Sequence, residues 1–408
     1  MAEKKLTHGG DWAGFAIEYG REPLDYSMNV NPLGIPQEVQ QAIAEASLTA
    51  DRYPDPLCRA LTQKLASYEQ VQPEQIFCGN GAADIIFRLA QVLKPEPGDL
   101  GPEPAPGSSV GENAAGNFEG KPTSRRPTLL ITAPTFSEYE TAFAANGWQI
   151  KRYLLKEENG FRIEEDFLDE IGPAGDGAKG GGSIDAVFLC EPNNPTGITT
   201  DDQLLRKILK KCRETGTRLV IDECFNGFLE EPEAHTMKAM LGDADSPDGD
   251  RAGGLIILKA FTKLYGMAGV RLGYGLCRAE ITEKLRAAGP PWNVSSLAQE
   301  AGIAALDAEE HVRKGLAIVH EERPWLKEQL RRLGFDRVYG EANYLLFYAG
   351  PGTGGPAGPG LDERLRERGI LIRNCSNYPG LDDGWFRIAV RTHEENEQLV
   401  AALREELK

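Results

Sequence analysis

A lysine lies in an unusually small and apolar stretch of the chain. The segment LKAFTKLYGMAGVRLGYG spans residues 258–275 and contains Lys263, with Arg271 eight residues later. Apolar surroundings disfavour the charged form of an amine and lower its pKa. A lysine in this setting can react as a neutral nucleophile. The segment therefore predicts a reactive amine, for which other residues must supply partners.

Two polar residues follow apolar, strand-like runs. Asn194 lies in CEPNNPTG (190–197), and Asp222 lies in VIDECF (220–225). Open α/β sheets bind ligands at the carboxyl ends of their strands, and an unpaired buried carboxylate is costly. We therefore expect both residues to face a ligand. The alternatives are an ordinary loop for the first segment and a helix N-cap for Asp222.

A glycine turn and an aromatic ring add two further groups. The segment GNGAADIIF (79–87) enters a predicted helix, where free backbone N–H groups suit an anion. Phe136 follows another strand in APTFSEYE (133–140), although core packing is the usual fate of such a ring. An anion cradle, an aromatic ring, an amide, a carboxylate, a lysine and an arginine would all serve a flat, phosphorylated heteroaromatic aldehyde. We therefore predict a pyridoxal phosphate site.

The segments around these groups predict an α/β fold. Strand-like runs occupy 128–133, 184–190, 217–222 and 254–259, and amphipathic helical patterns occupy 81–93, 136–145 and 200–214. This alternation predicts a mostly parallel sheet covered by helices. Later in the chain, helical patterns at 293–306 and 308–333 precede the strand-like runs YLLFY, ILIRN and WFRIAV and a final helix at 393–407. The later part predicts a smaller α+β domain.

The predicted domain division has three parts. Residues 1–40 form an N-terminal arm that contributes to the small domain and the active site, residues 41–280 form the large cofactor-binding domain, and residues 281–408 form the small C-terminal domain. Residues 95–127 are rich in Pro, Gly, Ser and charge, which predicts a flexible insertion.

Composition restricts the partners. The 408 residues include 45 Lys and Arg against 62 Asp and Glu, a net charge of −17, which argues against a nucleic-acid surface but permits a local basic pocket. Seven cysteines occur singly and five histidines lie far apart, so we expect no metal site. Unpaired cysteines without a secretory signal predict reduced thiols. With no run of apolar residues long enough to span a membrane, the sequence predicts a cytoplasmic protein.

The order and spacing of NNPTG, DE and TK followed by GVRLGY resemble the fold-type-I aminotransferase superfamily over nearly the whole chain. The resemblance implies an α/β pyridoxal phosphate enzyme with a large domain and a smaller C-terminal domain. In that case Lys263 would form a Schiff base with the cofactor. Asp222 would pair with the pyridinium nitrogen, and Asn194 would bond the phenolic oxygen of the ring.

The same resemblance implies how the rest of the cofactor is held. Phe136 would stack on the ring. Tyr53, in RYPDP, would reach the cofactor phosphate of a partner subunit, which implies a homodimer with shared sites. Arg387 would bind a substrate carboxylate. The cofactor phosphate would be held by Gly81, Ala82, Ala83, Thr262 and Arg271.

Two positions depart from the superfamily pattern. Many members have serine at the position of Ala260, so one hydroxyl donor to the phosphate is missing. Many aminotransferases have tyrosine at the position of Phe225, so one donor to the phenolic oxygen is missing. Loss of that donor should make the nitrogen of the Schiff base more basic without abolishing the chemistry.

Within the superfamily, four segments resemble threonine-phosphate decarboxylases: HGGD (8–11), LDYSMNVNPLGIP (24–36), RYPDP (52–56) and LIRNCSNYPGL (371–381). The resemblance implies that the N-terminal segment folds over the site and that Arg373 and Arg387 bind the phosphate and carboxylate of a small phosphorylated amino acid. The alternatives are a solvated terminus for His8 and a surface ion pair for Arg373. The substrate-binding residues implied are His8, Gly9, Gly10, Asn31, Arg373 and Arg387.

The implied reaction converts L-threonine O-3-phosphate to (R)-1-amino-2-propanol O-2-phosphate and carbon dioxide, in cobalamin biosynthesis. Histidinol-phosphate aminotransferase is the main alternative, because transamination needs the same cofactor groups and differs in which bond at the substrate Cα is broken. A binding module without catalysis and a C–S lyase are further alternatives. The complete set of cofactor groups argues against the first, and the HGG segment with Arg373 argues against the second.

Overall fold

The computed structural model describes residues 9–95, 125–172, 183–242, 254–350 and 360–407. The insertion predicted at 95–127 lies outside these ranges except at its ends. The strands are β1 Leu24–Asp25, β2 Ile76–Gly79, β3 Thr128–Ala133, β4 Gln149–Leu154, β5 Ala186–Cys190, β6 Arg218–Asp222, β7 Leu255–Ala260, β8 Gly273–Leu276, β9 Val338–Tyr339, β10 Tyr344–Tyr348, β11 Ile370–Leu371, β12 Arg373–Asn374 and β13 Trp385–Ala389.

Fourteen α-helices lie within the described ranges, along with shorter 3₁₀ turns. They are α1 Trp12–Tyr19, α2 Gln37–Ser47, α3 Arg59–Glu69, α4 Gly81–Val92, α5 Ser137–Ala145, α6 Phe167–Glu170, α7 Asp202–Thr215, α8 Pro232–His235, α9 Phe261–Leu264, α10 Ala279–Ala287, α11 Ser296–Ala305, α12 Glu309–Arg332, α13 Leu361–Glu367 and α14 His393–Glu406.

The large sheet is mostly parallel, as predicted. Its described strands run in the order β2-β8-β7-β6-β5-β3-β4, and β8 is antiparallel to both of its neighbours. Alternate side chains enter two apolar layers. Phe188 and Val220 pack with α4, α5 and α10, whereas Val187 and Leu219 pack with α3, α7 and α11. Because both faces are covered, the central strands read as continuous apolar runs.

Helix α7 illustrates how the sequence fixes these covering elements. The Asp201 side chain accepts hydrogen bonds from the backbone N–H groups of Gln203 and Leu204, which caps the helix at its start. Gly216, with φ 73°, ends it in the left-handed conformation that favours glycine. One face buries Leu204, Leu205, Ile208, Leu209 and Cys212. The chain then turns directly into β6, which carries Asp222 to the edge of the sheet.

The smaller sheet is antiparallel, with its described strands in the order β12-β13-β10-β9. Its core includes residues of α12, α13 and α14, among them Leu326, Leu365 and Leu403. The N-terminal segment belongs to the same unit, because β1 pairs in parallel with β11 and the Ala389 N–H donates to the Tyr26 carbonyl at 2.8 Å. Strands β11, β12 and β13 therefore bring Arg373 and Arg387 beside the segment that follows β1.

Two properties of the described residues concern the setting of the protein. All seven cysteines lie within the described ranges and all are free thiols. No helix in those ranges is both long enough and apolar enough to cross a membrane.

Candidate active site

A cavity of about 520 Å³ opens at the carboxyl ends of β3, β5, β6 and β7. Residues of the small unit close its other side. Parallel strands meet at the same edge of a sheet, so side chains that are far apart in sequence converge there. The predicted site residues that line the cavity are Gly9, Ala82, Ala83, Phe136, Asn194, Asp222, Thr262, Lys263, Arg271, Arg373 and Arg387.

Lys263 lies on the one-turn helix α9, immediately after β7. Burial, together with the positive charges of Arg387 and Arg271, lowers the pKa of Lys263 to about 8. Its Nζ lies 5.4 Å from the centroid of the Phe225 ring. The amine therefore meets the condition that the sequence suggested, a setting in which the neutral form is accessible near neutral pH.

The rate at which the apoprotein captures pyridoxal phosphate is expected to rise with pH through about 8 and then to level off. The neutral amine is the nucleophile, and lowering the pKa from its ordinary value to about 8 enlarges the neutral fraction at neutral pH on the order of a hundredfold. Stopped-flow absorbance from about pH 6 to about pH 10 measures this rate. A rate that keeps rising up to the pKa of an ordinary lysine would contradict the lowered pKa.

Asp222 ends β6 as a buried carboxylate, 5% exposed. Its Oδ2 accepts a hydrogen bond from the Tyr139 hydroxyl at 2.8 Å, and its Oδ1 accepts one from the backbone N–H of Cys224 at 2.9 Å. Burial and the charge of Asp222 raise the pKa of Tyr139 well above its usual value, so the phenol remains a donor. Two donors thus fix the carboxylate in orientation without neutralising its charge.

An anion cradle lies where α4 begins. Gly81 has φ 77°, and a Cβ added there would lie 2.7 Å from Arg271 Nη2, so glycine lets the guanidinium approach the helix start. A Cβ at Gly273 would likewise lie 2.7 Å from the Ala82 nitrogen. The first N–H groups of a helix have no intrahelical partner and attract negative charge. Together with Arg271 they can hold a phosphate.

Asn194 and Arg387 form a buried polar pair across the cavity. Arg387 Nη1 donates to Asn194 Oδ1, and Nη2 donates to the Ser27 carbonyl at 2.8 Å. Arg387 Nε has no partner among the described residues, although Arg387 is only 5% exposed. A buried donor without a partner is costly. The guanidinium is therefore suited to an anionic ligand in the cavity.

Arg373 supplies a second guanidinium on the same wall. Its Nη2 donates to Asn377 Oδ1 at 2.7 Å, and its Cζ lies 5.3 Å from the centroid of the Tyr378 ring. It is 8% exposed, which differs from the surface ion pair considered as an alternative. Arg373 and Arg387, both buried, therefore form a cationic wall of the cavity that Lys263 also lines.

Several predicted residues do not line the cavity. Asn31 lies behind α9, where its Nδ2 donates to the Leu264 carbonyl at 2.9 Å and its backbone N–H donates to the Lys263 carbonyl at 2.9 Å. Gly10 lies beside the cavity and donates its N–H to Ser27. Tyr53 is 81% exposed and lies on Trp292, at 4.7 Å between ring centroids. His8 lies outside the described residues.

Asn29 and Tyr139 are two of the several cavity residues that the sequence analysis did not predict. Asn29 is 2% exposed and lines the cavity, and neither of its side-chain amide atoms has a partner among the described residues. Tyr139 lines the cavity and bonds Asp222. The motif MNVNP offered two asparagines, and only the structure distinguishes them. Tyr139 could have been found from its spacing, since it lies one helical turn after Phe136.

These residues fit pyridoxal phosphate. The lowered pKa of Lys263 suits attack on an aldehyde, and the buried charge of Asp222 suits a protonated ring nitrogen. The space that a Cβ at Gly81 would fill, beside Arg271 and the start of α4, suits the phosphate. Phe136 on the cavity wall can cover the ring. Each chemical group of the cofactor has a counterpart.

Comparison with known proteins agrees with this site. A family model described as aminotransferase class I and II matches residues 21–403. A threonine-phosphate decarboxylase from Salmonella typhimurium is 32% identical over 409 residues, covering 99% of this chain and 97% of that protein. A histidinol-phosphate aminotransferase from Symbiobacterium thermophilum is 32% identical over 378 residues, covering 93% and 89%.

Solved structures show the same fold. The histidinol-phosphate aminotransferase of Clostridium acetobutylicum is similar at a TM-score of 0.75 and 27% identity, covering 94% of this chain and 99% of that one. The L-threonine-O-3-phosphate decarboxylase of Porphyromonas gingivalis is similar at 0.70 and 22% identity, with coverage of 94% and 99%. The chain therefore belongs to the aminotransferase class I and II family, as a fold-type-I enzyme whose cofactor is pyridoxal 5'-phosphate.

Proposed function

We propose that the protein decarboxylates L-threonine O-3-phosphate to (R)-1-amino-2-propanol O-2-phosphate, a step of cobalamin biosynthesis. One wall of the cavity carries the proposal. It contains the buried guanidinium groups of Arg373 and Arg387 and the amide of Asn29, which has no partner among the described residues. Guanidinium groups bind phosphate and carboxylate through paired donors. A substrate with one of each matches this wall, and the threonine-phosphate decarboxylase of Salmonella typhimurium, 32% identical, supports the choice.

In this proposal the cofactor lies in the part of the cavity lined by Lys263, Asp222 and Arg271. When bound, pyridoxal phosphate supplies a carbonyl carbon for amines and a protonated ring that accepts the electron pair of a bond broken at the substrate Cα. Lys263 contributes the neutral amine, and Asp222 keeps the ring nitrogen protonated. Because Asn194 Oδ1 accepts from Arg387, its Nδ2 remains to donate to the phenolic oxygen. Thr262, Arg271 and the start of α4 hold the phosphate.

Arg373 and Arg387 would determine which bond at the substrate Cα breaks. The bond that breaks at the substrate Cα would depend on which substrate group each arginine holds, because these contacts would fix the orientation of the substrate beside the cofactor. Arg387, fixed by Asn194 and Ser27, would hold the carboxylate, while Arg373 would hold the substrate phosphate. Positioning of this kind is a large part of catalysis.

Replacing Asn29 with leucine tests the substrate wall. The leucine removes a buried amide without partners, so the apoprotein should unfold at the same temperature or higher. The amide can no longer bond the substrate, so KM for L-threonine O-3-phosphate should rise about tenfold. Asn343→Leu is the matched control, since both Asn343 amide atoms also lack partners among the described residues but the side chain does not line the cavity. Equal KM changes in the two variants would contradict the assignment.

The nearest alternative is histidinol-phosphate aminotransferase, which the relative from Symbiobacterium thermophilum favours at the same 32% identity. The deciding experiment incubates cofactor-loaded protein with L-threonine O-3-phosphate and follows carbon dioxide and the phosphorylated amino alcohol. A parallel tube contains histidinol phosphate and 2-oxoglutarate. Carbon dioxide without keto acid supports the decarboxylase. Amino transfer in the parallel tube, with no carbon dioxide in the first, establishes the aminotransferase.

The proposal includes a homodimer in which Tyr53 reaches the cofactor phosphate of the partner subunit. Its support is the exposed aromatic pair formed by Tyr53 and Trp292, 81% and 47% exposed. A mixture of Tyr53→Ala and Lys263→Ala chains should exceed the activity of either variant alone and approach about a quarter of wild type, because half of the dimers would contain one intact site. No recovery after exchange of subunits would contradict shared sites.

The seven free thiols support a reduced, cytoplasmic setting.

A further inference from the structure

Ser27 connects the N-terminal segment to the wall of the cavity. It follows β1 and is 4% exposed. Its hydroxyl donates to Asp25 Oδ1 at 2.6 Å, and its backbone N–H donates to the same oxygen at 2.8 Å. The hydroxyl hydrogen is therefore committed to Asp25. The hydroxyl oxygen accepts the backbone N–H of Gly10 at 2.7 Å.

The main-chain carbonyl of Ser27 makes a second link, to Arg387 on the cavity wall. Ser27 O accepts from Arg387 Nη2 at 2.8 Å, and Arg387 Nη1 donates to Asn194 Oδ1. One serine thus links Gly10 through its side chain and Arg387 through its main chain. The two atoms that make these links belong to one buried residue.

The N-terminal segment lies directly on this serine. A Cβ added at Gly9 would lie 2.5 Å from the Ser27 carbonyl oxygen and 2.7 Å from its hydroxyl oxygen. Gly10 has φ 92°, a conformation that favours glycine. Both glycines are therefore required for the main chain to approach Ser27, and Gly9 lines the cavity.

We infer that Ser27 is a positioning residue that holds Gly9 at the cavity wall, through its hydrogen bond with Gly10, and aligns Arg387 for the substrate carboxylate. The identity of the substrate in this inference rests on the proposed function. The hydrogen bond between Gly10 and Ser27 does not depend on that function. Loss of the hydroxyl should free the Gly10 N–H while leaving the carbonyl that holds Arg387. Because Gly9 lines the cavity, KM for the substrate should change more than kcat.

The test compares Ser27→Ala with wild type and with Ser47→Ala, an exposed serine whose hydroxyl donates to the Ala44 carbonyl. Hydrogen–deuterium exchange of cofactor-loaded protein should accelerate about tenfold at the Gly10 amide in Ser27→Ala only. KM for L-threonine O-3-phosphate should rise about five- to tenfold with kcat within about twofold of wild type. Ser27→Thr, which keeps a hydroxyl, should recover most of both changes.

Unchanged exchange at Gly10 would overturn the inference, as would a fall in kcat at constant KM. If Ser27→Ala does not fold, Gly9→Ala replaces it, since its added Cβ displaces the segment from Ser27, and the same two readouts apply. The exchange measurement needs no turnover. Accelerated exchange in a protein that does not act on L-threonine O-3-phosphate would therefore overturn the proposed function and retain the link between Gly10 and Ser27.

Discussion

Replacing Lys263 with alanine should lower turnover by about 10³- to 10⁴-fold while the protein remains folded, because the variant loses the amine that the proposed function assigns as the nucleophile. The side chain lines the cavity and makes no ion pair among the described residues. The phosphate cradle at the start of α4 is untouched, so the variant should still bind the cofactor without a covalent bond. Steady-state rates and cofactor absorbance measure the two effects.

The same segment contains a second lysine that serves as the control. Lys259 donates to Glu69 Oε1 at 3.1 Å and lies 3.9 Å from Glu223. Burial alone would lower the pKa of Lys259, but these two carboxylates raise it, so this amine stays charged. Lys259→Met should therefore reduce the melting temperature by leaving Glu69 without one of its partners.

Borohydride reduction of loaded protein, followed by peptide mass spectrometry, distinguishes the two lysines directly. Cofactor attached at Lys263 and absent from Lys259 agrees with the pKa directions. Attachment at Lys259, or full activity in Lys263→Ala, would contradict the assignment of the reactive amine.

The parts of the fold that the sequence predicted share one physical property. Strands β3, β5, β6 and β7 are continuous apolar runs, since they are buried on both faces, and the structure confirms them within two residues. Their carboxyl ends could be recognised because polar residues such as Asp222 follow the apolar run directly. Position along a buried parallel strand was therefore enough to bring Asp222, Asn194 and Lys263 to one edge.

The elements that the sequence did not reveal lack such a pattern. Strand β4 lies at the edge of the sheet, where half-exposed and exposed residues alternate without an apolar run. Strand β8 is four residues long and contains the glycine-rich GYG motif. Glycines are depleted in strands. Here they allow β8 to approach the start of α4 at Gly273, a requirement that only the assembled fold shows.

Long-range contacts account for the remaining differences in the site. Asn29 and Asn31 are two residues apart in an irregular segment, and both are buried. Asn31 bonds the main chain of α9, whereas Asn29 faces the cavity. The distinction depends on how residues 24–31 pack against β11, β13 and α9. Such pairing across more than 200 positions leaves no local signal in the sequence.

Replacing Asp222 with asparagine should reduce kcat/KM by about 10²- to 10⁴-fold. The change removes the negative charge that is proposed to pair with the ring nitrogen, and breaking a buried charge pair costs about 3–5 kcal/mol, at about 1.4 kcal/mol per factor of ten. The amide keeps the shape of the side chain and one acceptor oxygen, so one of the two donors, Tyr139 or Cys224, stays bonded. Steady-state kinetics gives the loss, and ¹⁵N NMR of labelled cofactor should show a deprotonated ring nitrogen.

Tyr139→Phe is the graded control, because it removes the 2.8 Å donor to Asp222 and keeps the charge. One hydrogen bond is worth about 1 kcal/mol, so this variant should lose only about five- to tenfold in kcat/KM and keep the ring nitrogen protonated. The two variants separate the charge of Asp222 from its orientation. If asparagine and phenylalanine caused equal losses, the carboxylate would act through its hydrogen bonds alone, and the pairing with the ring nitrogen would be wrong.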